Sequence, residues 1–179
     1  DEIDRIAKDV LIERIEARLK IHNSKEGFIS FSPISNPASN IRSIFTLMKT
    51  EGDEAIANIA ARMNALGSAL DSWKATLEEM HALGLGTARR QVTVVAEQLK
   101  VHGSGNYSAF AKQLDADGKY PALHEAAKNA EAASLKMSEW MRDVHAPRSP
   151  KEDAVGEARY APWARYFTGA ELDLRATYE

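Results

Sequence analysis

The stretch YPALHEAAKNAEAASLKMSEWMRDV, residues 120–144, decides the fold. Leu123, Ala127, Ala130, Ser134, Met137, Met141 and Val144 recur in alternating steps of three and four, the signature of one buried helical face. Pro121 suits the first turn of that helix, where its missing N–H has no partner to lose. Pro147 reads as its stop. The middle of the face is alanine, so neighbouring helices can approach it closely. This is the longest helix that the sequence predicts.

The same period recurs outward in both directions. Ile3, Ala7, Val10, Leu11, Ile15 and Leu19 mark a helix over about 3–22. Residues 24–40 form the clearest loop, with Pro33 and Pro37 among serines and asparagines. FISF, 28–31, is the one piece that reads as a short extended segment. Further helices are expected over about 38–48, 53–66, 68–83 and 87–102. Asp53 and Ser68 serve as caps, Gly67 as a break, and the glycines at 84, 86, 103 and 105 as ends. Ser149-Pro150-Lys151-Glu152 reads as a capping box opening a helix over 150–161, and Pro162 ends it. A last helix is expected over 170–179. The fold class is all-α, a multi-helix bundle joined by short loops, read as one region over 1–179.

Composition narrows the function. The chain has 23 basic and 26 acidic residues, a net charge of −3, and no run of five or more like charges. This argues against a general nucleic-acid binder, which needs a basic surplus. No cysteine is present, so disulfides, thiolate zinc sites and cysteine nucleophiles are excluded. The apolar stretches are too short to cross a membrane. The compartment is otherwise open, with a cytoplasmic place as the working expectation.

Chemical motifs are sparse. His124-Glu125 invites a zinc-peptidase reading, but H-E-x-x-H requires a histidine at 128, which is lysine. His81, His102 and His145 fall near expected helix C-termini, where a partly protonated imidazole interacts well with the helix dipole. Arg89-Arg90 at a helix start reads as a solvated turn, or as an anion or partner contact. Tyr160, Trp163, Arg165, Tyr166 and Phe167 crowd aromatics around an arginine, as pocket walls and core edges both do.

DAVGEARYAPWARYFTGAELDLRATYE, residues 153–179, resembles the bacterial family catalogued as domain of unknown function 885. Its pattern is a G-x-x-x-Y helix, an aromatic break, then G-A-E-x-D-L-x-x-T-Y. Gly156, Tyr160, Gly169, Ala170, Glu171, Asp173, Leu174, Thr177 and Tyr178 fit it. ISNPASNIRSIFTLM (34–48) is similar to the family's P-x-x-x-I-R-x-x-F-x-x-M segment. Ala88-Arg89-Arg90-Gln91-Val92 with Ala96-Glu97-Gln98 is similar to its central helix.

The resemblance implies a helical fold of the zincin kind, in which a histidine-glutamate-glycine stretch ending in two histidines lies downstream of the tyrosine segment. No catalytic residue and no metal ligand can therefore be assigned to this chain, and zinc is expected in the full-length protein alone. Full-length members would be metal-dependent, peptidase-like hydrolases. This chain would be a non-catalytic helical portion forming one wall of the cleft. Tyr160, Arg165 and Tyr166 are the candidate substrate-binding residues: a tyrosine hydroxyl can donate to an oxyanion, and an arginine can hold a carboxylate. The chain starts at Asp1 and stops within an ordered-looking element, so it is expected to be a piece of a larger polypeptide. Its partner would be the remainder of that polypeptide or a second fragment, and a homodimer would cover the same surface. Gly156, Tyr160 and Trp163 should then lie near an open face, and an apolar patch should be exposed. The alternative is a self-contained helical interaction module without catalytic activity.

Overall fold

The structure, a computed structural model, describes residues 1–179 and contains helices without any strand. In chain order they are α1 (Glu2–Asn23), α2 (Glu26–Ile29), α3 (Pro37–Leu47), α4 (Asp53–Ala82) and α5 (Arg89–Val101). Then come α6 (Tyr107–Leu114), α7 (Pro121–Trp140), α8 (Ala146–Arg148), α9 (Glu157–Thr168) and α10 (Leu174–Tyr178). They fall into two compact units, Phe31–Lys151 on one hand, Asp1–Ser30 with Glu152–Glu179 on the other.

In the larger unit α7 is the central element and packs against α4, α5 and α6. Ala126, Ala127 and Ala130 are wholly buried, so backbones rather than long side chains set the separation. Gly67 of α4 faces this surface: a Cβ there would sit 3.7 Å from that of Ala133. The sequence reads Gly67 as a break, yet α4 runs unbroken for 30 residues. Buried Leu66, Leu70, Trp73 and Leu77 outweigh the roughly 1 kcal/mol that a helical glycine costs. Ser68 does not cap; its hydroxyl donates to the Ala65 carbonyl. α4, not α7, is thus the longest helix.

α5 ends where the sequence places its end, at a kink with Ser104 (φ −97°) and Gly105 (φ 98°). Gly103 beside it is pressed against α7, and a Cβ would lie 2.6 Å from Leu135 Cγ and 2.8 Å from the Glu131 carbonyl. α6 follows, unforeseen in the sequence. Its first turn is held by a distant residue: Glu131 accepts from the Ser108 N–H (2.6 Å) and hydroxyl (2.8 Å). Ser138 of α7 donates to the Ala96 carbonyl of α5 at 2.7 Å, so a buried hydroxyl has a partner.

Pro147 does not stop the helix. Met141–His145 widens into a π turn, with the Ala146 N–H donating to the Met141 carbonyl, and helix resumes through Arg148. Proline has no N–H for the carbonyl four residues back and its ring collides with it, so the turn opens instead. The extra residue rotates the face. Val144, expected inward, is 45% exposed, and His145 takes the buried place.

In the smaller unit α1 and α9 pack antiparallel. The Arg14 guanidinium of α1 donates to the carbonyls of Tyr166 (2.6 Å) and Arg165 (3.3 Å), and at the other end Arg159 grips buried Glu26 with both nitrogens (2.6 and 3.0 Å). The capping box at Ser149 does not form; its hydroxyl donates to the His145 carbonyl, which finishes α8. The expected helix over 150–161 is displaced to α9, which opens after Gly156 at φ 78°. Pro162 lies inside α9, where its cost falls on one acceptor, the carbonyl of the exposed Ala158. The last helix is also shorter than expected, because Asp173 accepts from the Arg175 and Ala176 N–H groups and starts it late. FISF forms no extended piece: Phe28 and Ile29 belong to α2, entered through Lys25 at φ 61°.

Two glycine substitutions separate packing from propensity. Gly103→Ala must displace Leu135 and is expected to lower the unfolding free energy by about 1–3 kcal/mol. Gly67→Ala has room for its methyl group and is expected to be neutral, or stabilising by up to about 1 kcal/mol. Urea unfolding followed by circular dichroism checks both.

Candidate functional site

The smaller unit contains the three residues singled out from the sequence. Tyr160, Arg165 and Tyr166 all lie on α9 but do not share a face. At 100° per residue, Arg165 points about 140° away from Tyr160, and Tyr166 about 120° away on the opposite side. Tyr160 is 54% exposed, whereas Arg165 and Tyr166 are half-buried. Arg165 is committed: its guanidinium lies 3.4 Å from Glu13, 3.9 Å from Glu16 and 3.1 Å from Glu171. Tyr166 turns its carbonyl to Arg14 and its ring edge-on to Trp163 and Phe167.

What α9 does present on one face is Tyr160, Trp163 and Phe167, at positions i, i+3 and i+7. Trp163 and Phe167 are stacked, with centroids 6.0 Å apart and planes at 22°. Phe167 is 77% exposed. Behind this row lies an ionic network. Arg14 holds the Glu13 carboxyl below its ordinary range, first through their hydrogen bond, with Arg165 adding to it. Arg14 also satisfies the last carbonyls of α9 and complements the negative end of its dipole.

A second cluster, in the larger unit, was not visible as a site in the sequence. Lys74 and Glu78 share a face of α4. The π turn brings Trp140, His145 and Arg148 to them. Arg148 pairs with Glu78 at 2.6 Å and lies over the Trp140 ring at 5.8 Å, and Lys74 lies over the same ring at 5.1 Å. His145 stacks on Trp140 with centroids 5.1 Å apart, is 3% exposed, and has no hydrogen-bond partner at either ring nitrogen. Burial, reinforced by Arg148, pushes its pKa down to about 4. His102 is also shifted down, by burial and then by Arg42. Both shifts favour the neutral imidazole, the opposite of what the dipole reading of the sequence expects. Beside Trp140, Gly67, Leu70, Asp71, Lys74 and Ala133 line a cleft of about 60 Å³ between α4 and α7, room for little more than ordered water. The i, i+4 spacing of Lys74 and Glu78 was the available sequence signal; their partners depend on the π turn.

The remaining motifs are structural. His124 Nε2 meets the buried Asp115 carboxylate at 3.0 Å, and Asp115 also accepts from the N–H groups of Lys119 and Tyr120. Arg89 reaches backbone carbonyls at the end of α8, those of Pro147 and Ser149. No group of three or more His, Asp or Glu side chains that could hold a metal ion is brought together. No helix is long and apolar enough to cross a membrane.

An all-helical chain of this architecture is matched over residues 1–179 by the family model described as "Bacterial protein of unknown function (DUF885)". The chain belongs to that family. A search of curated proteins found no match for it.

The neutral buried imidazole gives a pH test. With its folded pKa near 4 and an ordinary value near 6.5, the unfolded chain binds the extra proton between them. Stability is complete above pH 6.5 and falls as the pH drops towards 4, by up to about 3 kcal/mol. His145→Phe keeps the stack and is expected to flatten the difference between urea midpoints at pH 7 and pH 4.5. Glu78, Arg148 and His81, whose charges act on the ring, remain in both proteins, so their own titration largely cancels in the subtraction.

Proposed function

We propose that this chain is the non-catalytic helical part of a zinc-dependent, peptidase-like hydrolase, forming one wall of its substrate cleft. The observation that carries this is an apolar row on α1. Leu11, Ile15 and Leu19 are 60%, 48% and 51% exposed at i, i+4 and i+8. Burial of each such side chain is worth about 1.5–3 kcal/mol. A helix held by an ionic network on one side and left apolar on another fits a seam against the remainder of the same polypeptide. The resemblance supplies the chemistry of that remainder.

Within this reading Tyr160 is the wall residue best placed to reach a substrate, because it is the most exposed of the three. Arg165 is a positioning residue rather than a carboxylate clamp, since three glutamates already surround it. Tyr166 supports the aromatic row from behind.

The test is made on the gene product purified from its own source under protease inhibition. The expected result is a chain heavier than 19.7 kDa, carrying bound zinc, whose peptide hydrolysis is lost on chelation and restored by zinc. Tyr160→Phe should lower its kcat/KM by roughly ten-fold or more, as loss of an oxyanion donor does. A natural chain of 19.7 kDa without hydrolysis would overturn the proposal and leave the interaction-module reading.

A further inference from the structure

α1 has a second uncovered surface, on a different sector. At 100° per residue, Ile3, Ile6 and Val10 fall within about 60° of one another and coincide with Ala17 and Ile21. Ala17 and Ile21 are 2% and 7% exposed; Ile3, Ile6 and Val10 are 76%, 54% and 57% exposed. One apolar sector therefore runs the length of α1, and only its second half is covered. The reason is geometric. α9 runs antiparallel to α1 and its C-terminal carbonyls stop at Arg14. Nothing continues the cover towards the N-terminus of α1.

The chain that leaves α9 is aimed at that gap. Gly169 turns at φ 75° beside Arg14, whose Nη2 would lie 3.5 Å from a Cβ at 169. Arg165, which touches Glu13 and Glu16 of α1, also holds Glu171, so the segment departs on the α1 side. Asp173 then starts α10, in which Leu174 and Tyr178 are four residues apart and share a face. Tyr178 is 94% exposed. Five residues from Gly169 to Leu174 reach up to about 17 Å. Val10 and Ile6 lie about 6 and 12 Å beyond Arg14 along the helix, with the same four-residue spacing as Leu174 and Tyr178.

We propose that α10, open in this structure, closes over this sector: residues 170–179 fold back along α1, antiparallel to it, seating Leu174 on Val10 and Tyr178 on Ile6. The contact continues the α1–α9 seam by one more helical layer and uses no residue of the Leu11–Ile15–Leu19 row. It stands or falls independently of the peptidase reading.

The chain has no cysteine, so the test is direct. Val10→Cys with Leu174→Cys, and Ile6→Cys with Tyr178→Cys, are each oxidised mildly at low protein concentration. Ile12→Cys with Leu174→Cys is the control, because Ile12 points about 160° away from Val10. The expected result is an intramolecular disulfide in both matched pairs, formed at least ten-fold faster than in the control. It is read as a loss of two hydrogens in intact mass and faster migration without reductant. Intermolecular dimers would mean that a second copy covers the sector, and would overturn the proposal. Equal rates in all three pairs, or no cross-link in the matched pairs, would overturn it too. Hydrogen exchange gives a second reading: Val10→Asp should speed exchange of the Ala176–Glu179 amides several-fold, and unchanged exchange would count against the contact.

Discussion

The alanine face of α7 is the constraint on which the larger unit depends. Because Ala126, Ala127 and Ala130 project only a methyl group, α4 and the end of α5 approach at backbone distance. Close approach dictates glycine at 103, against Leu135 and the Glu131 carbonyl, while Gly67 keeps room for a methyl group, and the small hydroxyl of Ser138 can reach the Ala96 carbonyl. Larger side chains, Leu123 and Met137 at the ends of the face and Leu66, Leu70 and Leu77 across from it, fill the space where the helices diverge. The tolerance for added volume is therefore uneven along one interface.

The end of α7 shows how one proline changes chemistry several residues away. Pro147 opens the π turn, the turn advances the buried face by one residue, and an imidazole enters a place that the period assigned to valine. Burial without hydrogen-bond partners, with Arg148 nearby, favours the neutral form of that imidazole. Trp140 is shared by His145, Lys74 and Arg148, while Glu78 neutralises Arg148. The result is a layered aromatic and ionic lock between α4 and the end of the α7–α8 rod.

The smaller unit is built differently. Its buried apolar surface is slight, and its helices are tied by arginines: Arg14 to the end of α9, Arg165 to three glutamates, Arg159 to Glu26. Charged hydrogen bonds of this kind fix direction and register. They leave the long apolar stripes of α1 free for other surfaces.

The sequence by itself determined the helical class, most helix starts, and the buried seam of α7 up to Met141. These follow from local rules: the 3.6-residue period and Pro121 at a first turn. It also determined the family, through residues spread along the whole chain. Only the tertiary structure decided the rest. Gly67 reads as a break because propensity is local, whereas the helix is held by Leu66, Leu70 and a neighbour 66 residues on. The Ser149 box reads as a start, yet its hydroxyl is already taken by the turn before it. Arg165 reads as a free cation until Glu13 and Glu16, about 150 residues earlier, are folded against it. For Gly67 and Arg165 the deciding partner is distant in sequence, and its contribution exists only after packing has brought it within hydrogen-bonding or van der Waals range; for Ser149 it is the π turn, itself set by the packing of the end of α7.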